Sequence, residues 1–272
     1  MSSQTPVNMQ ESHLIKKVIM KALIFANGNP EEGVMVNRAL SDSDAAALPL
    51  TAITAWELLF DHLNIQQQSP DSTSQSNEVI LVVGAAGGVG SILIQIAKAI
   101  TGATIIATAS RASSKAWVEE LGADYVIDHS QALPPQIEAL IQNKSISQVS
   151  HIASLNSTEA YFESYTELLA PFGKIAMIDD PSQPLDVMKL KSKSQSLHTE
   201  FMFARSMFNA ADMEEQGRLL NQIADLIDQG YIQTTIGKNL GIINAENLRT
   251  AHAELESGQS IGKIVLEGFS ND

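Results

Sequence analysis

The chain has 272 residues, 44% of them apolar, enough for one large α/β domain with additions or for two modest domains. Its formal net charge is −14, from 17 basic and 31 acidic residues, which argues against nucleic acid as a partner; an anionic ligand would need local N–H donors and a few placed cations. There is no cysteine, hence no disulfide or thiolate metal site, and no stretch reads as a signal peptide or membrane span, so a cytoplasmic protein without a membrane partner is expected.

In chain order, residues 1–12 read as a tail and 18–25 as a short strand stopped by Asn27-Gly28-Asn29-Pro30. A small apolar patch at 34–36 follows. Ser41 to Asp44 then offer N-caps to Ala45-Ala46-Ala47, Pro49 interrupts, and 51–63 resumes as helix. Residues 66–77 are polar and of low complexity, as a surface loop. From Glu78 onward short apolar, β-branched-rich runs at 79–83, 104–108, 125–127, 149–153 and 174–178 alternate with helical stretches at 89–100, 114–121, 135–142 and 158–169. Such alternation predicts parallel strands with right-handed crossovers, a doubly wound sheet, with a sixth strand at 197–203. A helix (212–229), a weak strand (233–236), a helix (245–256) and a closing strand (263–266) complete the chain.

The run Gly84-Ala85-Ala86-Gly87-Gly88-Val89-Gly90 stands where the wholly apolar strand 79–83 hands over to a helix. There, exposed N–H groups and the positive helix end can hold a diphosphate. Against the three-glycine dinucleotide fingerprint, Ala85 departs at the first position, Gly87 matches the second and Gly90 the third. The second strand ends in Ala109-Ser110-Arg111, with Ser110 where an NAD enzyme places a carboxylate, and Lys115 is one helical turn on. A missing carboxylate beside two cations favours a 2′-phosphate, hence NADP(H).

These stretches carry a resemblance to the medium-chain dehydrogenase/reductase superfamily, in particular to its zinc-type alcohol dehydrogenase-like NADPH:quinone oxidoreductases. Matching segments are 45–63, the glycine run, 117–129 (Trp-Val-Glu-Glu-Leu-Gly-Ala-Asp-Tyr-Val-Ile-Asp-His), 168–179 and the terminal Gly262-Lys263-Ile264-Val265-Leu266. The resemblance implies an α/β fold: a doubly wound, parallel six-stranded Rossmann sheet with a truncated remnant of a β-rich catalytic domain. Residues 1–44 would be tail and remnant, 45–232 the dinucleotide domain with its entrance helix, and 233–272 the segment returning to the remnant. It also implies NADP(H) held by Ala85, Ala86, Gly87, Gly88, Val89, Gly90, Ser110, Arg111 and Lys115, with His129 near the adenosine half. Asn156, Ile178 and Asp179 would lie towards the nicotinamide, and Thr54 would line the cleft from the entrance helix. A homodimer joined at the sheet edge near 197–203 is implied as well. The closing strand, normally paired inside the catalytic domain, needs another partner or an exposed place.

Other chemistry finds less support. The six histidines show no metal spacing, and zinc is not expected despite the family label. No G-x-S-x-G occurs, and the glycine run lacks the Lys-Ser/Thr ending of an NTPase loop. Asp179-Asp180 and Glu214-Glu215 read as loop and helix-surface charge, Lys189, Lys191 and Lys193 as a solvated edge, and Phe201, Phe203 and Phe208 as buried at a sheet edge or dimer seam. The expected activity is NADPH-dependent hydride transfer to a quinone or activated carbonyl compound such as an enone or aldehyde, with no catalytic acid assigned. The alternative is a catalytically impaired NADPH-binding remnant with a binding or regulatory role.

Overall fold

The computed structural model describes residues 40–269; the expected strand at 18–25 and the patch at 34–36 lie outside them. The first described elements are α1 (Asp42–Ala46) and α2 (Pro49–Trp56), the latter continuing as a π-helical turn over Glu57–His62. Ser41 caps α1, its side chain accepting from the Asp44 N–H, and Pro49 sits in the first turn of α2, where its missing N–H costs nothing.

Then come β1 (Val79–Val83), α3 (Gly88–Ile100), β2 (Thr104–Thr108), α4 (Ala112–Glu120), β3 (Tyr125–Ile127), α5 (Leu133–Gln142), β4 (Val149–Ser154), α6 (Thr158–Leu168), β5 (Leu169–Met177) and β6 (Ser196–Thr199). The six strands form one parallel sheet in the order β3-β2-β1-β4-β5-β6. This is the doubly wound order, and its switch point lies between β1 and β4. The alternation along β1 shows how the two faces are built. Ile80 and Val82 join a core with α2 and α3, while Val79, Leu81 and Val83 join one with α5 and α6. A strand wedged between two cores must be apolar throughout, as this one is.

Two boundaries differ from expectation. β5 begins at Leu169 rather than 174, because Leu169 already pairs with Val149 before an irregular stretch returns the register at Lys174 opposite His151. β6 stops at Thr199, short of 203; residues 201–203 turn instead into the short helix α7 (Ala204–Met207). Phe201, Phe203 and Phe208 are therefore exposed, not buried against the sheet of their own chain.

After α8 (Glu215–Asp228), the strand β7 (Ile236–Asn239), the helix α9 (Ala245–Glu256) and the strand β8 (Lys263–Val265) make a second unit. The closing strand finds its partner here: β7 and β8 pair in parallel. The unit is fastened to the rest of the fold where the Gly262 N–H donates to the Ala86 carbonyl (2.8 Å) and Gly87 and Gly262 form a parallel bridge, and further by the Ser43 hydroxyl donating to Glu267 (2.9 Å) and by Arg111 donating to the Gln259 carbonyl (2.6 Å).

Candidate functional site

The glycine run forms the floor of a cleft of about 480 Å³ at the carboxyl ends of β1, β2 and β4. The tight turn is made by Gly84, whose φ of +79° suits glycine. This explains why alanine is tolerated at 85: that residue is buried and the left-handed conformation falls one position earlier. Gly87 caps α3 and no side chain caps it, so the N–H groups of the first turn face the cleft without a side-chain acceptor. Gly90 is there for packing. A Cβ on it would lie 2.3 Å from the Ala85 carbonyl oxygen, so only hydrogen lets the helix approach the turn.

Of the residues expected at the site, Ala86, Gly87, Gly88, Ser110, Arg111, His129 and Asn156 line this cleft together. Ala85, Val89 and Gly90 shape the loop from behind. Thr54 is buried and its hydroxyl donates to the Leu50 carbonyl of its own helix (3.3 Å). Ile178 packs against the core. Asp179 is held by the N-terminus of α6, accepting from the Thr158 N–H (2.8 Å) and the Thr158 hydroxyl. It is the end of a buried chain in which Thr158 bonds Ser154 (2.7 Å) and Ser154 bonds Tyr165 (2.9 Å).

The two cations assigned to a 2′-phosphate have other company. Lys115 pairs with Asp128 (3.1 Å), and hydrogen bonds from Ser130 together with Lys115 hold that carboxyl down at about 2. Arg111 reaches across the cleft to the Gln259 carbonyl (2.6 Å). The His129 Nδ1 is buried without a partner in a residue that lines the cleft, a polar atom left over for a ligand.

The sequence reading missed one wall altogether. Leu255, Gly258, Gln259, Ser260 and Gly262 close the cleft opposite the glycine run. No local signal marked them beyond the glycines at 258 and 262, both at positive φ.

A second polar cluster lies beyond β6. Arg205 binds Glu57, Asp61 (2.9 Å) and Asp212 (3.0 Å), and Gln216 also donates to Glu57 (3.0 Å). Burial, aided by the nearby Glu200 charge, pushes the Glu57 carboxyl up to about 7 despite Arg205 and Gln216. His62 bonds Glu200 (2.9 Å), which raises the imidazole above its ordinary value. Glu57, Asp61, His62, Glu200, Arg205 and Asp212 line a cavity of about 500 Å³ with Phe201 and Phe208. Elsewhere, Lys193 is not simply solvated: it donates to the carbonyls of Thr166, Glu167 and Leu169 at the end of α6.

With this geometry in view, comparison with known proteins places the chain. The profile of the zinc-binding dehydrogenases matches residues 121–266, more than half of the sequence. The chain belongs to that family. Within the medium-chain dehydrogenase/reductase superfamily it is 37% identical over 227 residues to a zinc-type alcohol dehydrogenase-like protein of Staphylococcus aureus (strain MSSA476). That match covers 84% of this chain and 65% of the relative, so the chain spans just under two thirds of that relative's length. It is 34% identical over 236 residues to an NAD-dependent alcohol dehydrogenase of Saccharolobus solfataricus, covering 84% of this chain and 59% of that one. A crystal structure of a putative zinc-dependent alcohol dehydrogenase from Rhizobium etli superposes with a TM-score of 0.79 at 45% identity, over 87% of this chain and 67% of that one.

The fold is thus a nucleotide-binding Rossmann domain typical of NAD(P)-binding enzymes, with a smaller flanking unit. The cleft suits the diphosphate and adenosine of such a cofactor: an uncapped helix N-terminus, glycines on the floor and an orphaned imidazole nitrogen. Zinc fits less well. The sequence has no cysteine, and among the described residues no group of three or more His, Asp or Glu side chains could hold a metal ion. Also among the described residues, no helix is long and apolar enough to cross a membrane.

Proposed function

We propose that this protein is an NADPH-dependent oxidoreductase that delivers hydride to a quinone or an activated carbonyl compound, an enone or aldehyde. The observation that carries the reading is the shared wall of one cleft. The glycine run supplies N–H groups for a diphosphate, while Ser110 and Arg111 stand at the end of β2 where a carboxylate would select NAD. A relative named NAD-dependent does not decide the matter for this chain, because one residue at the end of β2 sets that choice. When bound, the nicotinamide supplies the hydride. The chain's own residues hold and orient it: α3 takes the diphosphate, Arg111 leaves Gln259 for the 2′-phosphate, and Asn156 stands on the nicotinamide side of Gly84.

A second reading, an NADPH-binding protein without efficient turnover, is favoured by the titratable groups of the cleft. Arg111 and His129 are the only ones lining it among the described residues, and this reading gives both to the adenosine half. Fluorescence titration with NADPH and NADH, followed by an assay of NADPH oxidation with quinones, enals and aldehydes, separates the two. Tighter binding of NADPH with turnover supports the first; binding without turnover supports the second; equal affinity for both dinucleotides defeats the assignment to NADP(H). We also propose a homodimer joined edge to edge through β6, supported by its place as the last strand of the sheet and by the exposed Phe201 and Phe203 beside it. Light scattering at micromolar concentration checks that.

A further inference from the structure

We propose that the cavity between the π-helical turn, the end of β6 and α7 binds a small organic amine, whose ammonium group donates to Glu200 and whose carbon chain lies against Phe201 and Phe208. This site is separate from the cofactor cleft, with which it shares no lining residue.

An acidic cluster alone would be no more than a charged surface; Glu200 makes this one a site. Its side chain is 2% exposed and the residue lines the cavity. Oε2 accepts from His62 (2.9 Å), but Oε1 is buried with no hydrogen-bond partner among the described residues. A carboxylate oxygen taken out of water without a donor is unfavourable. The empty protein therefore holds an acceptor that an N–H group of a ligand would satisfy.

The charges of the cavity call for a cation. Glu57, Asp61, Glu200 and Asp212 share one guanidinium, Arg205, and one imidazole, His62. The guanidinium has little left to give. Its Nε and Nη2 donate to Asp212 (3.2 and 3.0 Å), Nη2 also to Asp61 (2.9 Å), and Nη1 to Glu57. Both bonds that Glu57 accepts, from Arg205 and Gln216, fall on its Oε1. Burial nevertheless pushes the Glu57 carboxyl up to about 7, with the Glu200 charge adding to the effect, so positive charge is in short supply even where the pins are made. A metal ion does not meet the need, because among the described residues no group of three or more His, Asp or Glu side chains could hold one. An ammonium does: it brings three N–H donors and a full charge. Phe201 and Phe208 supply the rest of the recognition. They line the cavity yet are 54% and 77% exposed, leaving ring surface for an alkyl chain to cover and ring faces for a cation. At about 500 Å³ the hollow is of ordinary size for a small-molecule site.

Calorimetric titration of the whole chain with butylamine and with 1,4-diaminobutane tests this, against tetramethylammonium and potassium at matched ionic strength. The two controls carry charge without N–H donors and report unspecific attraction to a chain of net charge −14. The amines are expected to bind with a single site per chain, roughly tenfold or more tighter than either control. Glu200→Gln should weaken them roughly tenfold or more, and Phe208→Ala roughly threefold or more. Glu120→Gln, which removes an exposed carboxylate elsewhere, should change them by less than about twofold. Thermal unfolding checks that each variant folds, and Phe208, on the exposed rim, decides the matter if Glu200→Gln does not. NMR of the histidine rings locates the site. His62, bonded to Glu200, and His198, whose ring centre is 6.0 Å away, should shift with amine, while His129 in the cofactor cleft should not. Three results would each overturn the proposal and leave the cofactor reading intact: no preference for the amines over tetramethylammonium, affinities untouched by both Glu200→Gln and Phe208→Ala, or binding that fades as protein concentration rises because a second copy fills the cavity.

Discussion

The cofactor cleft and the cluster beyond β6 are both polar hollows of similar size, about 480 and 500 Å³, yet they are built in opposite ways. The cleft is made chiefly of backbone: glycines, an uncapped helix end and carbonyls, with few charged side chains and with a histidine nitrogen left unpaired. The cluster is made of charged side chains that largely answer one another, with Arg205 shared among three carboxylates and His62 bound to Glu200. Backbone donors cost no side-chain entropy to position and leave their capacity for a ligand, whereas ion pairs consume theirs internally. The first arrangement is suited to binding an anion, the second to pinning the entrance helix to the segment after β6.

The largest effect should come from breaking the backbone site at its tightest point. Gly90→Val would drive a side chain into the Ala85 carbonyl, costing ~3 kcal/mol or more of stability and abolishing NADPH binding. Urea unfolding with a cofactor titration would show it, and near-native binding would mean the loop is far more pliable than its contacts imply. Next, Arg205→Met should cost about 2–4 kcal/mol, because it strands the buried Glu57 carboxyl, while NADPH affinity in the folded fraction stays within a few fold. A variant that lost cofactor binding but kept its stability would reverse the roles assigned to the two regions.

Arg111→Met should do the converse. Exposed and outside the core, Arg111 should change stability by less than ~0.5 kcal/mol, yet NADPH affinity should drop roughly tenfold or more with NADH little affected. Parallel titrations with the two dinucleotides decide this.

The smallest effect is a pH dependence. Glu57 has a folded pKa of about 7 against an ordinary 4.5, so the stability it confers is fully present below about 4.5 and is lost as pH rises through 7. His62, also raised, acts in the same direction above its ordinary 6.5. Glu57→Gln should therefore remove part of the wild-type decline between pH 5 and 8, on the order of 1–2 kcal/mol, in denaturant midpoints taken across that range. An unchanged slope would show that Glu57 stays ionised with Arg205 throughout.

How much of this was legible follows from how far apart the interacting residues lie. Strands 79–83, 104–108 and 125–127 appear at the expected bounds because their apolar runs are local signals. The glycine run is equally local, although the sequence pattern put the turn at Ala85 when the positive φ belongs to Gly84. The sixth strand was drawn too long because Phe201 and Phe203 look like strand residues; they pack edge to face at 5.5 Å on a turn instead. Contacts across the fold left no local trace. Glu57 meets Arg205 148 positions away, Arg111 meets Gln259 at the same separation, and the Leu255–Gly262 wall belongs to a segment held by such distant contacts, the Gly87–Gly262 bridge among them.

That bridge has a consequence for the life of the chain on the ribosome. Gly262 leaves the ribosome 175 residues after Gly87, so the loop cannot be closed on its far side until that whole stretch has been made. The large sheet can assemble while synthesis continues, its neighbouring strands pairing as they appear. Closure of the cleft has to wait. The nascent chain would pass through a stage in which the sheet is folded and the cleft still open, and emergence of the Leu255–Gly262 segment would give the cleft its far wall.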